Sequence, residues 1–232
     1  MRASDLARAA GAAVREAVLD AWAVVQPVEC LGCGRPDRSL CADCSPALAP
    51  GRPWPVRCAA PVGAPVWAAA DYEGPVRGAI LALKNDGRTD AARPLARLVT
   101  AALGAALAGA TPGIELAPVP SRAAALRRRG LDPVRELLLA ARLPASRVLV
   151  ARRSALPQKA LDRAGRLAAQ GRFRARRQLD GRRFVLVDDV VTTGATLADC
   201  AAAIRAAGGA VVAAVAACAP DWDSRGRLGS DR

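Results

Sequence analysis

Two adjacent aspartates, Asp188 and Asp189, end an apolar run and are followed at once by a segment rich in hydroxyl groups. The whole stretch reads VLVDDVVTTGAT. Carboxylates suit the hydroxyls of a sugar or a divalent cation, whereas threonine hydroxyls and the N–H groups at the start of a helix suit phosphate. Gly194 would let the backbone approach that phosphate closely. A ribose 5-phosphate meets both demands.

The neighbouring residues predict the elements that position this stretch. Phe184–Val187 has the composition of a buried strand, and Thr192–Thr196 forms the turn into a helix that begins near Leu197. Ligands of open α/β sheets bind at the carboxyl ends of such strands. The chain has no GxxxxGKS or GxxxxGKT and no GxGxxG after a strand, which excludes a P-loop and a dinucleotide fingerprint. The remaining alternative is a structural turn in which a threonine caps the helix.

Short valine-rich runs alternate with helix-like segments from Val66 onward. Strand-like runs without polar alternation are typical of a parallel sheet that helices cover on both faces. The predicted strands begin near residues 66, 114, 146, 184 and 211, and the predicted helices cover 76–109, 134–143 and 196–210. We divide the chain into an N-terminal helix (1–26), a four-cysteine segment (27–48), a proline-rich linker (49–65), an α/β domain (66–220) and a disordered tail (221–232).

Four cysteines near the N-terminus have the spacing of a metal site. They are Cys30, Cys33, Cys41 and Cys44. In this C-x2-C-x7-C-x2-C pattern, two CxxC pairs offer four thiolates to one tetrahedral Zn²⁺, so we predict a structural zinc knuckle. Disulfides are the alternative, and they would require an oxidising compartment. Cys58, Cys200 and Cys218 stand alone in apolar surroundings and are predicted to be ordinary buried thiols.

Composition limits the remaining chemistry. The 232 residues include no histidine, which excludes histidine-based catalysis and metal ligation. The formal charge is +13, and the stretch from Ser121 to Arg183 holds 18 Lys or Arg residues against four acidic ones. This field indicates a polyanionic ligand, either phosphates or nucleic acid, with an arginine-rich composition as the alternative explanation. No apolar run has the length of a bilayer span or the character of a signal peptide, so we expect a cytoplasmic protein without membrane insertion.

Together these motifs resemble a known family. The stretch VLVDDVVTTGAT is similar to the phosphoribosyl pyrophosphate (PRPP) signature of type I phosphoribosyltransferases. With the two CxxC pairs, YEGPVRGAILALKNDGR, PVPSR followed by RRRG, and the arginine-rich segment from Gln158 to Phe173, the chain resembles the ComF family from Val24 to Ala219. That family consists of competence-related proteins with an amino-terminal zinc finger. The resemblance implies a type I phosphoribosyltransferase-like parallel sheet flanked by helices, preceded by a small zinc-binding segment.

The resemblance also implies roles for individual residues. Asp188 and Asp189 would bind the ribose hydroxyls at the catalytic centre. The 5-phosphate would be held by Val187, Thr192, Thr193, Gly194, Ala195 and Thr196. Candidates for the pyrophosphate, which would bring Mg²⁺ with it, are Ser121, Arg122 and Lys84. The segment Arg152–Phe173 corresponds to a hood that closes over the ligand, and its candidate contacts are Arg153, Gln158, Lys159 and Arg166.

The chain departs from the family pattern at several positions. Asp132 and Pro133 stand where Asn and Gln are usual, and Pro61 replaces a cysteine that would pair with Cys58. Thr192 occupies a position that is typically acidic in transferases for 6-oxopurines, which disfavours purine salvage. These departures affect the acceptor side and leave the ribose-phosphate residues intact.

Three functions fit these observations. The first is a transferase that displaces pyrophosphate from PRPP in favour of an unknown acceptor. The second is a PRPP-gated protein that binds single-stranded DNA and competence-machinery proteins during DNA uptake, although seven aromatic residues offer few stacking platforms. The third is an interaction module with an inactive pocket.

Overall fold

Seven strands and four helices make up the described part of the fold. The computed structural model describes residues 28–36, 38–121, 126–127, 130–152 and 171–220. The strands are β1 (Trp54–Pro55), β2 (Val66–Ala68), β3 (Ile114–Pro118), β4 (Leu149–Ala151), β5 (Phe173–Ala175), β6 (Arg183–Val190) and β7 (Ala210–Cys218). The helices are α1 (Gly74–Asn85), α2 (Ala92–Ala106), α3 (Pro133–Ala140) and α4 (Ala195–Ala206). The predicted N-terminal helix (1–26) and tail (221–232) lie outside the described residues.

The main sheet has the strand order β1–β2–β7–β6–β3. All neighbours are parallel except β1, which joins β2 antiparallel at the edge. In the register, Leu186 lies beside Ala214 on β7, and Ala117 of β3 lies beside Leu186 on the other side. The central position of β6 explains its uninterrupted apolar run, because such a strand is buried on both faces. The predicted α/β fold with a mostly parallel sheet is confirmed.

Helices cover both faces of this sheet. Val185 and Val187 point into one core cluster together with apolar residues of α1, α2 and α3. Phe184 and Leu186 point the other way, into a second cluster with α4. This alternation follows from the two-residue period of a strand. Successive residues of β6 therefore face different helical layers, and this alternation determines the sides toward which Asp188 and Asp189 point.

The helical stretch predicted across 76–109 is two helices rather than one. Helix α1 ends at Asn85, and Gly87 then adopts φ 66°, a left-handed conformation that breaks the helical path. A short 3-10 turn, Thr89–Ala91, leads into α2. The two helices α1 and α2 are therefore separate elements joined by residues 86–91.

The strand predicted near residue 146 forms outside the main sheet. Ser146 donates its backbone N–H to Leu116 on β3 over 2.8 Å, after which β4 pairs antiparallel with β5 instead of continuing along that edge. Leu149 and Phe173 anchor this β4–β5 ribbon in the core on the α4 side. The ribbon flanks residues 153–170, and Arg152 closes it by donating its N–H to the carbonyl of Arg172 over 2.9 Å.

The proline-rich segment 49–65 lies along the sheet and the α4 layer. Val56 donates to Val66 over 2.7 Å, and Arg205 of α4 holds the carbonyls of Val62 and Gly63 at 2.8 and 3.0 Å. Its position brings residues 58–62 beside the threonine-rich turn. Within the described residues, no helix combines the length and the apolarity needed to cross a membrane.

Candidate functional site

Asp188 and Asp189 lie near the carboxyl end of β6, where the strand is still paired with β7. Asp188 is in register with Ala216, and Val190 with Cys218. Asp189 is the one charged side chain that is buried in the described part of the chain, with 5 % exposure, whereas Asp188 is half-buried. The N–H of Asp189 donates to Oδ1 of Asp188 over 2.9 Å. Because neighbouring residues of a strand face opposite layers, Asp189 points toward the α1 side and Asp188 toward the α4 side.

Lys84, in the last turn of α1, reaches across the sheet edge to Asp189. Its Nζ lies 2.7 Å from Oδ1 of Asp189, and the two side chains are 27 % and 6 % exposed. Burial alone would lower the pKa of Lys84, but the carboxylates, first of all Asp189, outweigh it and raise that pKa above its ordinary value. Lys84, a predicted pyrophosphate contact, thus has its ammonium group on an aspartate of the same site.

The ion pair with Lys84 involves Asp189, so Asp188 beside it adds a further negative charge to the site. Burial, and after it the charge of Asp189, raises the pKa of Asp188 above the ordinary value for a carboxyl group. The site in this form thus disfavours full ionisation of the pair. A ligand that presents hydroxyl donors or a bound cation would relieve this charge, because either one stabilises the ionised carboxylates.

The turn after β6 carries the features of an anion site. Gly194 is the N-cap of α4, with φ 77° and ψ 0°, and the helix begins at Ala195. The prediction that it begins near Leu197 was off by two residues, and the alternative of a threonine cap is wrong, because the left-handed conformation at this position favours glycine. The first turn of a helix leaves N–H groups without intrahelical partners and carries the positive end of the dipole.

The threonines of this turn differ in how far their side chains are exposed to solvent. The side chains of Thr192 and Thr193 are exposed, that of Thr196 is half-buried, and Gly194 is buried. Ala195 donates its N–H to Oγ1 of Thr193 over a long 3.4 Å. The side chains of Thr192 and Thr193 are therefore accessible to a ligand at the start of α4.

Cys58 packs directly beneath the turn, which the sequence analysis did not foresee. A Cβ on Gly194 would lie 2.6 Å from Cβ of Cys58 and 2.7 Å from its Sγ. Ala60 also donates its N–H to the carbonyl of Thr193 over 2.9 Å. The predicted buried thiol at Cys58 is half-buried, whereas Cys200 and Cys218 are buried as predicted. The contact joins residues more than a hundred positions apart, so no local pattern in the sequence could have indicated it.

The chain that leaves β3 arrives beside the same strand end. Val119 donates its N–H to the carbonyl of Val187 over 2.8 Å, and half-buried Ser121 follows two residues later. The carboxyl edge thus brings together the aspartates, Lys84, the threonine-rich turn and Ser121. The other predicted contacts, Arg122, Arg153, Gln158, Lys159 and Arg166, lie outside the described residues.

The four predicted metal ligands form one cluster. The sulfur atoms of Cys30, Cys33, Cys41 and Cys44 all lie within 4.8 Å of one another. Sγ of Cys33 lies 3.8 Å from Sγ of Cys41, which equals the edge of about 3.8 Å expected for a ZnS₄ tetrahedron with Zn–S bonds of about 2.3 Å. Cys41 donates its N–H to Sγ of Cys30 over 3.4 Å, as a thiolate ligand requires. The cluster could hold zinc.

A cavity of about 620 Å³ opens at the carboxyl end of β2, beside the start of α1. Arg52, Trp54, Asp71 and Glu73 are among the residues that line it, and the residues of the VLVDDVVTTGAT stretch are not. The cavity therefore adjoins the carboxyl edge of the sheet without containing the aspartate pair. The chemistry of the side chains, rather than the size of a cavity, defines the candidate site.

Comparison with known proteins agrees with this geometry. Residues 125–227 match the phosphoribosyl transferase domain. No curated protein matches the chain. The matched range contains β4 to β7, the aspartate pair and the turn, while β1 to β3 precede it and complete the same sheet. Residues 125–227 are thus similar to a phosphoribosyl transferase domain. They form part of an α/β fold that is preceded by a four-cysteine cluster able to hold zinc.

Proposed function

We propose that this protein binds Mg²⁺–PRPP at the carboxyl edge of the sheet, where β6 ends and α4 begins. The observation that carries the proposal is the arrangement of two aspartates at the end of β6 and a glycine-capped helix start, separated by the four-residue turn 191–194. The aspartates suit the ribose hydroxyls, and the start of the helix suits the 5-phosphate. The match to the phosphoribosyl transferase domain over 125–227 supports the same ligand.

Each part of the ligand has proposed contacts on this edge. Asp188 and Asp189 accept hydrogen bonds from the ribose hydroxyls, and residues 187 and 192–196 hold the 5-phosphate. We assign Ser121, Arg122 and Lys84 to the pyrophosphate. The resemblance to the family assigns Arg153, Gln158, Lys159 and Arg166 to a hood over the ligand. Mg²⁺ would arrive with the pyrophosphate, whose negative charge it neutralises.

The reaction that this arrangement supports is phosphoribosyl transfer. A nucleophile of the acceptor forms a bond to the anomeric carbon while the bond from that carbon to the pyrophosphate oxygen breaks, and pyrophosphate leaves with both electrons. Cationic side chains on the pyrophosphate side stabilise the charge that develops on the leaving group. Release of pyrophosphate upon addition of candidate acceptors tests this step directly.

A second candidate function is a cytoplasmic PRPP-gated protein that binds single-stranded DNA during DNA uptake, together with competence-machinery proteins. The resemblance to the ComF family motivates it, and one surface favours it. Exposed arginines project from the β4–β5 ribbon and its ends at positions 147, 152, 174, 176 and 177. Such a cationic strip suits a phosphate backbone, and it predicts DNA binding that weakens steeply with salt, while a flat salt response counts against it.

Isothermal titration calorimetry with Mg²⁺–PRPP tests the proposed site. We expect binding to the wild-type chain and none to the variant with Asp188→Asn and Asp189→Asn, because amides cannot replace two hydroxyl-accepting carboxylates of this charge. The control is Asp180→Asn, a change of an exposed aspartate that precedes the opposite, amino end of β6. Equal affinities for the wild type and the site variant would overturn the proposal.

A glycine pair tests the phosphate turn separately. Gly194→Ala places a methyl group against Cys58 at a left-handed position, whereas Gly109→Ala places one at nearly the same φ, 76°, with nothing within 4 Å. Both variants carry backbone strain of about 1–2 kcal/mol. We expect Gly194→Ala alone to lose Mg²⁺–PRPP binding in the same titration. If the two variants bind alike, the turn does not hold the phosphate.

A further inference from the structure

Helix α1 is clamped between the four-cysteine cluster and the aspartate pair. At its first turn, a Cβ on Gly32 would lie 2.8 Å from both Sγ of Cys44 and Cβ of Pro75. One turn later, a Cβ on Gly78 would collide with the carbonyl oxygen of Leu31. Leu31 itself is buried in the same core cluster as α1. Gly32 and Gly78 thus face each other where the cysteine segment packs directly on α1, a contact that we call the seam.

The other end of α1 carries the ammonium of the candidate site. Gly78 and Lys84 are six residues apart, which is about 9 Å along a helix. Just beyond the helix, Nη1 of Arg88 donates to the carbonyl of Glu29 over 2.6 Å, next to the first cysteine of the cluster. The cysteine segment therefore contacts both the first half of α1 and the loop that follows it. A shift of that segment would move Lys84 relative to Asp189.

We propose that metal loading of the four-cysteine cluster controls the affinity of the phosphoribosyl site, with α1 as the rigid connection that sets Lys84 against Asp189. This inference rests on the proposed binding of PRPP. A cysteine segment of this size cannot form a core of its own, so its fold depends on the metal. Without the metal, the seam at Gly32 and Gly78 loses its ordered partner, and Lys84 no longer has a fixed position beside the ribose-binding carboxylates.

Thermodynamic linkage makes the connection reciprocal. If zinc strengthens PRPP binding by some factor, PRPP strengthens zinc binding by the same factor. Ordinary couplings between sites amount to roughly 5- to 150-fold. Zinc release to a chromogenic chelator, measured with and without Mg²⁺–PRPP, therefore gives a readout that requires no turnover.

The first test compares the zinc-loaded full chain with the same chain after zinc has been stripped and the chelator removed. We expect the affinity for Mg²⁺–PRPP in calorimetry to fall roughly 5- to 150-fold upon zinc removal. Equal affinities in the two forms would overturn the inference while leaving the proposed function intact. Absence of binding by the loaded chain would instead overturn the proposed function, and the inference with it.

The second test keeps the zinc and changes the seam. Gly78→Ala forces the helix and the carbonyl of Leu31 apart, whereas Gly104→Ala makes the same substitution in α2 with nothing within 4 Å. We expect Gly78→Ala to bind Mg²⁺–PRPP at least about fivefold more weakly than Gly104→Ala, and to respond less to zinc removal than the wild type does. If both variants bind equally tightly and respond equally to zinc, α1 does not connect the two sites.

Discussion

The two ends of strand β6 hold opposite arrangements of charge. At its amino end, Arg182 donates two hydrogen bonds of 2.8 and 2.6 Å to the carboxylate of Glu115, which also accepts one from Ser146. At its carboxyl end, Lys84 pairs with Asp189, and Asp188 adds a second carboxylate that accepts the N–H of Asp189. Each charge of the Arg182–Glu115 pair therefore has a partner, whereas the carboxyl end has two carboxylates beside one lysine. Glu115 thus belongs to a structural ion pair, whereas Asp188 and Asp189 are the carboxylates of the proposed ligand site.

The pKa values at the two ends shift in opposite directions. Hydrogen bonds from Arg182 and Ser146 lower the pKa of Glu115 below its usual range. Burial and the neighbouring Asp189 raise the pKa of Asp188. A carboxylate that the fold stabilises contributes to stability, whereas one that the fold penalises is retained for another reason, which here is the proposed ligand.

The largest expected effect on stability comes from removing the ammonium of Lys84 that pairs with Asp189. Lys84→Met leaves Asp189 as a buried charge without its partner, and breaking a buried pair in this way costs about 3–5 kcal/mol. Urea unfolding followed by circular dichroism measures this loss. A loss below about 1 kcal/mol would mean that the 2.7 Å pair contributes little to the fold, and that the carboxyl end does not depend on Lys84.

A smaller loss is expected at the amino end. Glu115→Gln replaces a charge-assisted pair at a partly exposed position, for which about 1–2 kcal/mol is the expected loss. Affinity for Mg²⁺–PRPP should remain that of the wild type, because Glu115 lies at the opposite end of the strand. A variant that lost ligand binding in calorimetry would contradict the division of β6 into a structural end and a binding end.

The smallest effect, with the opposite sign, is expected for Asp188→Asn. A carboxyl whose pKa is raised in the folded state loses its contribution to stability as the pH rises from its unfolded value through its folded value. The asparagine variant lacks this loss, so near neutral pH it should unfold at a higher temperature than the wild type. A gain on the order of 1 kcal/mol corresponds to about 2–4 °C in Tm for a chain of this size.

Differential scanning calorimetry of the unliganded proteins between acidic and neutral pH checks this sign. The difference in Tm between Asp188→Asn and the wild type should grow with pH and vanish in acid. A variant less stable than the wild type at neutral pH would show that the folded state does not penalise the Asp188 carboxylate.

Features built from contiguous residues could be predicted from the sequence, whereas contacts between distant segments could not. Strand β6, the turn and α4 were predictable because the apolar run, the aspartates and Gly194 are contiguous, and the four-cysteine cluster because its ligands have a fixed local spacing. The pairing of β4 with β5 and the short edge strand β1 were not, because both depend on contacts between distant segments. The same limit applies to Lys84 and Asp189, which are 105 residues apart and meet only in the folded chain.

The most direct test of the account is the structure of the zinc-loaded chain with Mg²⁺–PRPP. We expect the ribose hydroxyls within hydrogen-bonding distance of Asp188 and Asp189, and the 5-phosphate at the backbone N–H groups between Thr192 and Thr196. Lys84 should remain in contact with the carboxylates or the pyrophosphate. A ligand bound elsewhere, for example in the cavity beside β2, with the aspartates making no contact to it, would contradict the account.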